Sequence, residues 1–180
     1  MAGSLVQVDT FTVSSAVSSV IIGGGSSGSS SYNFAINTDD VYVFTYNDVY
    51  LSSDGAQTRF RFTVSGSPDT SSNYDSGRLN IYANQAPYNV ANPNTDYISN
   101  LSGGTTSAES HSGIWYLYTF NSSGEHSLVT INQIGATETP EYVAVSGGAV
   151  LTVNQACDGI QIYTNTGNIS NGTFTLYKVI

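Results

Sequence analysis

The sequence predicts an all-β protein of about ten antiparallel strands, arranged as a sandwich or a barrel. Apolar residues recur at period two along most of the chain, and no window sustains a 3.6-residue period. Gly, Asn, Asp and Ser break these runs at the short spacing of sandwiches and barrels. The 13 Tyr, 7 Phe and a hydrophobic share of 39% give 180 residues enough bulky, strand-preferring side chains for one core and one domain.

The elements follow in order. VQVDTFTV (6–13) and SVII (19–22) open the strand series, and GGGSSGSSS (23–31) has the composition of a flexible loop. VYVFTYNDVYL (41–51) sets Tyr42, Phe44 and Tyr46 against Val41, Val43 and Thr45, while RFRFTVS (59–65) sets Phe60, Phe62 and Val64 against Arg59, Arg61 and Thr63. Between them SSDG (52–55) carries the Asp-Gly pair of tight hairpins, so a hairpin is expected there. RLNIY (78–82) reads as a strand, and residues 83–110, with two prolines and many turn formers, as a long irregular excursion. GIWYLYTF (113–120) and HSLVTIN (126–132), joined by NSSGE, form a second expected hairpin. EYVAV (141–145), AVLTV (149–153), GIQIY (159–163) and TFTLYKV (173–179) complete the set, with no internal repeat and no heptads.

Charge narrows the function classes. Four Lys and Arg against 13 Asp and Glu leave a net charge of −9, the wrong sign for contact with phosphates, so no nucleic-acid partner is expected. An anionic membrane surface is disfavoured for the same reason, and no apolar stretch approaches the ~20 residues of a spanning helix. Cys157 is the single cysteine, without an intrachain disulfide partner, and is expected to be a small buried hydrophobe. MAGSLVQVDT lacks the basic and apolar regions of a secretion signal, so release by lysis is the expected route out of a cell.

No residues are assigned to catalysis. Glu109, His111, Glu125 and His126 bracket the second hairpin, and two carboxylates facing a cleft would suit glycoside hydrolysis, but nothing sets a separation between them. Zinc on His111, His126 and Cys157 lacks close-spaced ligand pairs, and no nucleophile-elbow, phosphate-loop or HExxH motif is present. The expectation is a non-enzyme without cofactors. Asp39, Asp40, Asp69 and Asp75 lie in oxygen-rich turns and are calcium candidates, with turn capping as the competing role. For Arg59, Arg61 and Arg78, cross-strand pairing with Asp or Tyr is expected ahead of a carbohydrate or carboxylate contact. Tyr74, Tyr88 and Tyr97 fall in expected loops and are the candidates for partner binding, by sugar stacking or at a protein interface, against the alternative of plugging the ends of the fold.

TFTVSSAVSSVII (10–22), DVYVFTYNDVYLSSDGAQTRFRFTVSGSPDTSSNYD (40–75) and above all ACDGIQIYTNTGNISNGTFTLYKV (156–179) resemble small virion proteins of marine tailed bacteriophages. In the closing segment Ile160 and Ile162 are expected to feed one face, Gly167 and Gly172 to allow the connection, and Phe174 and Leu176 to return to the core. The resemblance implies a jelly-roll-like β-sandwich on the surface of the phage particle, commonly a homotrimer, assembled in the host cytoplasm. It also implies a capsid decoration or cement protein, or alternatively a receptor- or glycan-binding head domain of a tail fibre or tail tip. The partners would be other copies of the chain and a capsid or tail protein, with MAGSLVQV (1–8) available to add a strand to a neighbour.

Overall fold

Strict alternation survives folding. In strand Ser127–Ala136 the side chains of Ser127, Val129 and Ile131 are buried while Leu128, Thr130, Asn132 and Ile134 are exposed, which is what a strand with one face on a core requires. The computed structural model describes residues 4–24, 41–139 and 141–180. Among these lie thirteen strands: β1 Leu5–Thr12, β2 Ser19–Gly23, β3 Tyr42–Leu51, β4 Ala56–Val64, β5 Ser67–Pro68, β6 Tyr74–Tyr82, β7 Tyr88–Thr95, β8 Ile98–Gly103, β9 His111–Tyr118, β10 Ser127–Ala136, β11 Tyr142–Leu151, β12 Gly159–Thr164 and β13 Ile169–Val179. A 3₁₀ turn, Ser107–Glu109, is the sole helical element described.

The strands form an antiparallel sandwich. The larger sheet runs β1-β13-β3-β9-β10-β11-β6-β7, and the smaller runs β2-β12-β4-β5 with β8 also paired to β4. Phe44, Tyr46 and Trp115 from the large sheet meet Phe60 from the small one, with ring centroids 6.0 Å apart for Phe44–Phe60 and 4.3 Å for Phe60–Trp115. Phe62 packs edge-on to Phe120 at 5.0 Å. These rings, together with Ile160, Ile162, Phe174 and Leu176, belong to the main core.

Several expectations change on folding. The second hairpin forms, with β9 and β10 paired from His111↔Gly135 to Tyr118↔Leu128. The first does not: the turn at 52–55 is present, with Gly55 at φ +68°, but β3 and β4 enter different sheets. Each strand carries an aromatic face, and placing the strands in opposite layers turns both faces onto one core; a hairpin would set them side by side with one layer still to be covered. The excursion at 83–110 contains β7 and β8. β7 is polar and includes Pro93, which an outermost strand tolerates, and four consecutive residues of β8, Ile98 to Leu101, are all buried, so no alternation marks it. The segments at 141–145 and 149–153 are one strand, because Gly147 and Gly148 continue it. A side chain at Gly147 would lie 2.4 Å from the Gly77 carbonyl oxygen, so glycine there permits close strand approach.

The N-terminal strand is not a free arm. β1 pairs with β13 from Leu5↔Val179 to Thr12↔Thr173, and Ser4 N–H donates to the Ile180 carbonyl at 2.9 Å. The chain therefore closes on a strand held between β1 and β3. The turn before it uses Gly167 at φ +71°, where a side chain would lie 2.3 Å from Ser53 Oγ.

Candidate functional site

The three central strands of the large sheet, β9, β10 and β11, contain no Asp, Glu, Lys or Arg. Their outward side chains align across the sheet. Ile134 stands opposite Ser112 and Ala144, and Ala144 opposite Ile81; Asn132 stands opposite Ile114 and Ser146, and Ser146 opposite Leu79; Leu128 lies opposite Tyr118 and Val150. Of the twelve large hydrophobic side chains exposed among the described residues, seven project from this face: Leu79, Ile81, Ile114, Tyr116, Leu128, Ile134 and Tyr142. Single exposed hydrophobics are ordinary on a protein surface, whereas a contiguous uncharged group marks a contact surface.

Three shallow depressions share Ile134. One of 490 Å³ is bordered by Thr45, Asn47, Ser112, Ile114 and Asn132. A second of 230 Å³ lies against Ile81, Tyr142 and Ala144, and a third of 410 Å³ against Ala108, Ser112 and Tyr142. Ile134 is the most exposed aliphatic side chain of the face, at 62%. The surface thus offers an apolar ridge flanked by hydroxyl and amide groups, which suits contact with another protein.

Behind this face the interior holds a polar network. The Tyr46 hydroxyl donates to Gln133 Oε1 and accepts from Asn100 Nδ2 at 3.1 Å. His111 Nε2 lies 3.1 Å from Thr58 Oγ1, while its Nδ1 has no protein partner. Desolvation pulls the His111 pKa from 6.5 down to about 4, since a buried imidazolium would carry an unpaired N–H. The unfolded chain takes up this proton near pH 6.5 and the folded one does not. Stability is therefore complete above 6.5 and declines by about 3 kcal/mol as pH falls to about 4. Urea unfolding across that range is expected to show this slope, and His111→Gln to flatten it. An unchanged slope in the variant would remove His111 as its source.

The sequence-predicted residues scatter. Tyr74 is not a loop residue: it begins β6 fully buried, accepting from Phe62 N–H at 3.0 Å and donating to the Asp69 carbonyl at 3.3 Å. It faces the core because it sits on the inward phase of its strand, so it has no surface to offer a partner. Tyr88 begins β7 and is 47% exposed. Tyr97 lies between β7 and β8 under the Arg59 guanidinium, 4.0 Å from its ring centroid. Arg61 lies 4.4 Å from the Tyr163 centroid on the neighbouring β12, the expected cross-strand contact with a Tyr, while its ion pair is with Asp96, which lies off the strands between β7 and β8. Asp69 Oδ1 accepts from Ser71 N–H at 2.9 Å, a turn-capping contact, whereas Asp75 is not in a turn but on β6, where its Oδ1 accepts from Asn94 N–H of the neighbouring β7 at 2.7 Å. Asp39 and Asp40 lie outside the described residues.

Among the described residues no three His, Cys, Asp or Glu side chains group as metal ligands. Cys157 is buried beside Ser127, and burial pushes its thiol up to about 12, leaving it protonated at neutral pH. Glu109 Oε2 caps the 3₁₀ turn through Thr105 and Thr106 N–H. No described helix is long and apolar enough to cross a membrane.

The exposed apolar face was missing from the sequence-level candidates although a signal for it exists. IWYLY in β9 and SLVTINQI in β10 are apolar on both alternating phases. One phase fills the core and the other is surplus. No protein-family model, curated protein or solved structure matches the chain.

Proposed function

We propose that the chain is a non-enzymatic structural protein of a tailed-bacteriophage virion, a decoration protein that docks on the outer capsid lattice through the apolar face of β9, β10 and β11. The observation that carries this reading is the charge-free face itself. In a chain of net charge −9, it is a surface on which further copies or an acidic partner can be approached without repulsion between opposing carboxylates. Removing its aliphatic and aromatic side chains from water supplies affinity, and many copies on one lattice add avidity. The sequence resemblance to marine phage virion proteins supports the same assignment, including a homotrimeric state.

Quantitative mass spectrometry of purified virions tests it. The expected result is a copy number that is a simple fraction of the major capsid protein. A handful of copies per particle would rule out decoration.

A second reading, a glycan-binding head domain of a tail appendage, is favoured by one feature. Tyr88 stacks on Tyr82 with centroids 5.5 Å apart and an interplanar angle of 17°, and the residue stays 47% exposed on an outermost strand. Such a ring is a platform for the apolar face of a sugar.

A further inference from the structure

Arg78 differs from the other strand arginines. Arg61 has a carboxylate partner in Asp96, and Arg59 a ring beneath it in Tyr97. Arg78 is partly buried between the layers, where Nη1 donates to the carbonyl and to Oγ of Ser99, the latter at 2.8 Å, and Nε to Asn80 Oδ1 at 3.2 Å. All three acceptors are neutral. Nη2 has no protein acceptor and Arg78 no carboxylate partner among the described residues. Desolvation accordingly pulls its pKa below the ordinary guanidinium value. A cation removed from water without a counter-charge is costly, and an anion arriving at Nη2 would recover that cost.

The surroundings identify the anion. On β6, Arg78, Asn80 and Tyr82 share the inward phase; on β7 their neighbours Tyr88 and Asn92 share it too, with Asn80 opposite Tyr88 and Ser76 opposite Asn92. Asn92 Nδ2 donates to Ser99 Oγ at 2.8 Å and so holds the hydroxyl that Arg78 also uses. The Tyr82 and Tyr88 hydroxyls lie 3.0 Å apart, which ties the two rings together. Arg78 and the Asn80–Tyr88 pair are two residues apart along β6, about 7 Å, which is the reach of one pyranose ring with its carboxylate. We propose that this group of side chains binds an acidic sugar of the uronate type, its ring packed on Tyr88 and its carboxylate paired with Nη2 of Arg78. A bare carboxylate, such as a peptide C-terminus, would use Arg78 without needing the aromatic platform.

This inference deepens the glycan-binding reading and is independent of capsid docking. The test titrates the intact protein, by calorimetry and by NMR, with a glucuronate-containing oligosaccharide, with its neutral glucose counterpart and with a short peptide ending in a free carboxylate. The acidic oligosaccharide is expected to bind at least about tenfold more tightly than the neutral one. Arg78→Gln should abolish that preference, and Tyr88→Ala should weaken binding at least about tenfold. Tyr88→Ala is at an exposed position with little effect on folding, so it decides the matter if Arg78→Gln does not fold. Equal binding of acidic and neutral sugars would overturn the Arg78 assignment while the glycan reading stands. No binding of any saccharide would overturn both. Peptide binding as tight as the sugar, and indifferent to Tyr88→Ala, would make Arg78 part of a peptide-carboxylate site and overturn the sugar assignment.

Discussion

If the chain docks on a capsid as proposed, Ile134→Asp is expected to leave it folded and to abolish that docking. Ile134 is 62% exposed and projects from the outward phase of β10, so its replacement removes little buried area and is expected to change stability by no more than about 0.5 kcal/mol. In the proposed docked state its surroundings are different. It borders all three depressions of the face, and a carboxylate there would be driven into an apolar contact without a partner. That penalty is at least about 3 kcal/mol per contact, a hundredfold or more in affinity, and it multiplies where many copies bind one lattice. Co-sedimentation with capsids that lack the protein, beside a thermal melt of the variant, measures both halves of the expectation. Full binding by a folded Ile134→Asp variant would remove this face as the docking surface. Leu128→Asp, three rows away on the same strand, is expected to behave alike.

Phe174→Ala destabilises the fold by about 3–5 kcal/mol, a large part of the 5–15 kcal/mol typical of a whole domain. Phe174 is fully buried, and β13, which carries it, lies between β1 and β3. The cavity it leaves cannot close by a shift of β13, because pairing to both neighbours fixes that strand's register. Deleting 171–180 goes further: it removes Phe174 and Leu176 from the core and leaves β1 without its partner, and no folded protein is expected. Urea unfolding of the point variant and circular dichroism of the truncation give the two readouts. A loss below about 1 kcal/mol for Phe174→Ala would mean that the interior closes around the gap.

Much of this architecture is legible residue by residue. The alternation of Phe60 and Phe62 with Arg59 and Arg61, or of Val129 and Ile131 with Thr130 and Asn132, places strands and their buried phases correctly, because both depend on neighbours two positions away. β7 and β8 escape such reading for opposite reasons: β7 is an outermost strand with little apolar content, and β8 is buried along four consecutive residues. The candidate site is harder. Tyr74 and Tyr88 look equivalent as tyrosines flanked by Asn, Asp or Pro, yet one starts a strand facing the core and the other stands at a sheet margin.

Local chemistry was therefore sufficient to establish the β class, the apolar phases that face the core and the absence of charge along β9, β10 and β11, since each depends on composition or on a period of two. It left open which layer each strand joins. The turn at 52–55 is compatible with a hairpin or with a crossing between sheets, and the choice rests on contacts such as Phe60 with Trp115, 55 positions apart in the chain. The surplus apolar phase of the central strands became an exposed face only because the five-stranded sheet covers the other side. Arg78 became a cation without a counter-charge only because β8 brought Ser99, and no carboxylate, beneath it. Each of these outcomes is a matter of which distant segments meet across the sandwich, and alternation along a strand carries no information about that.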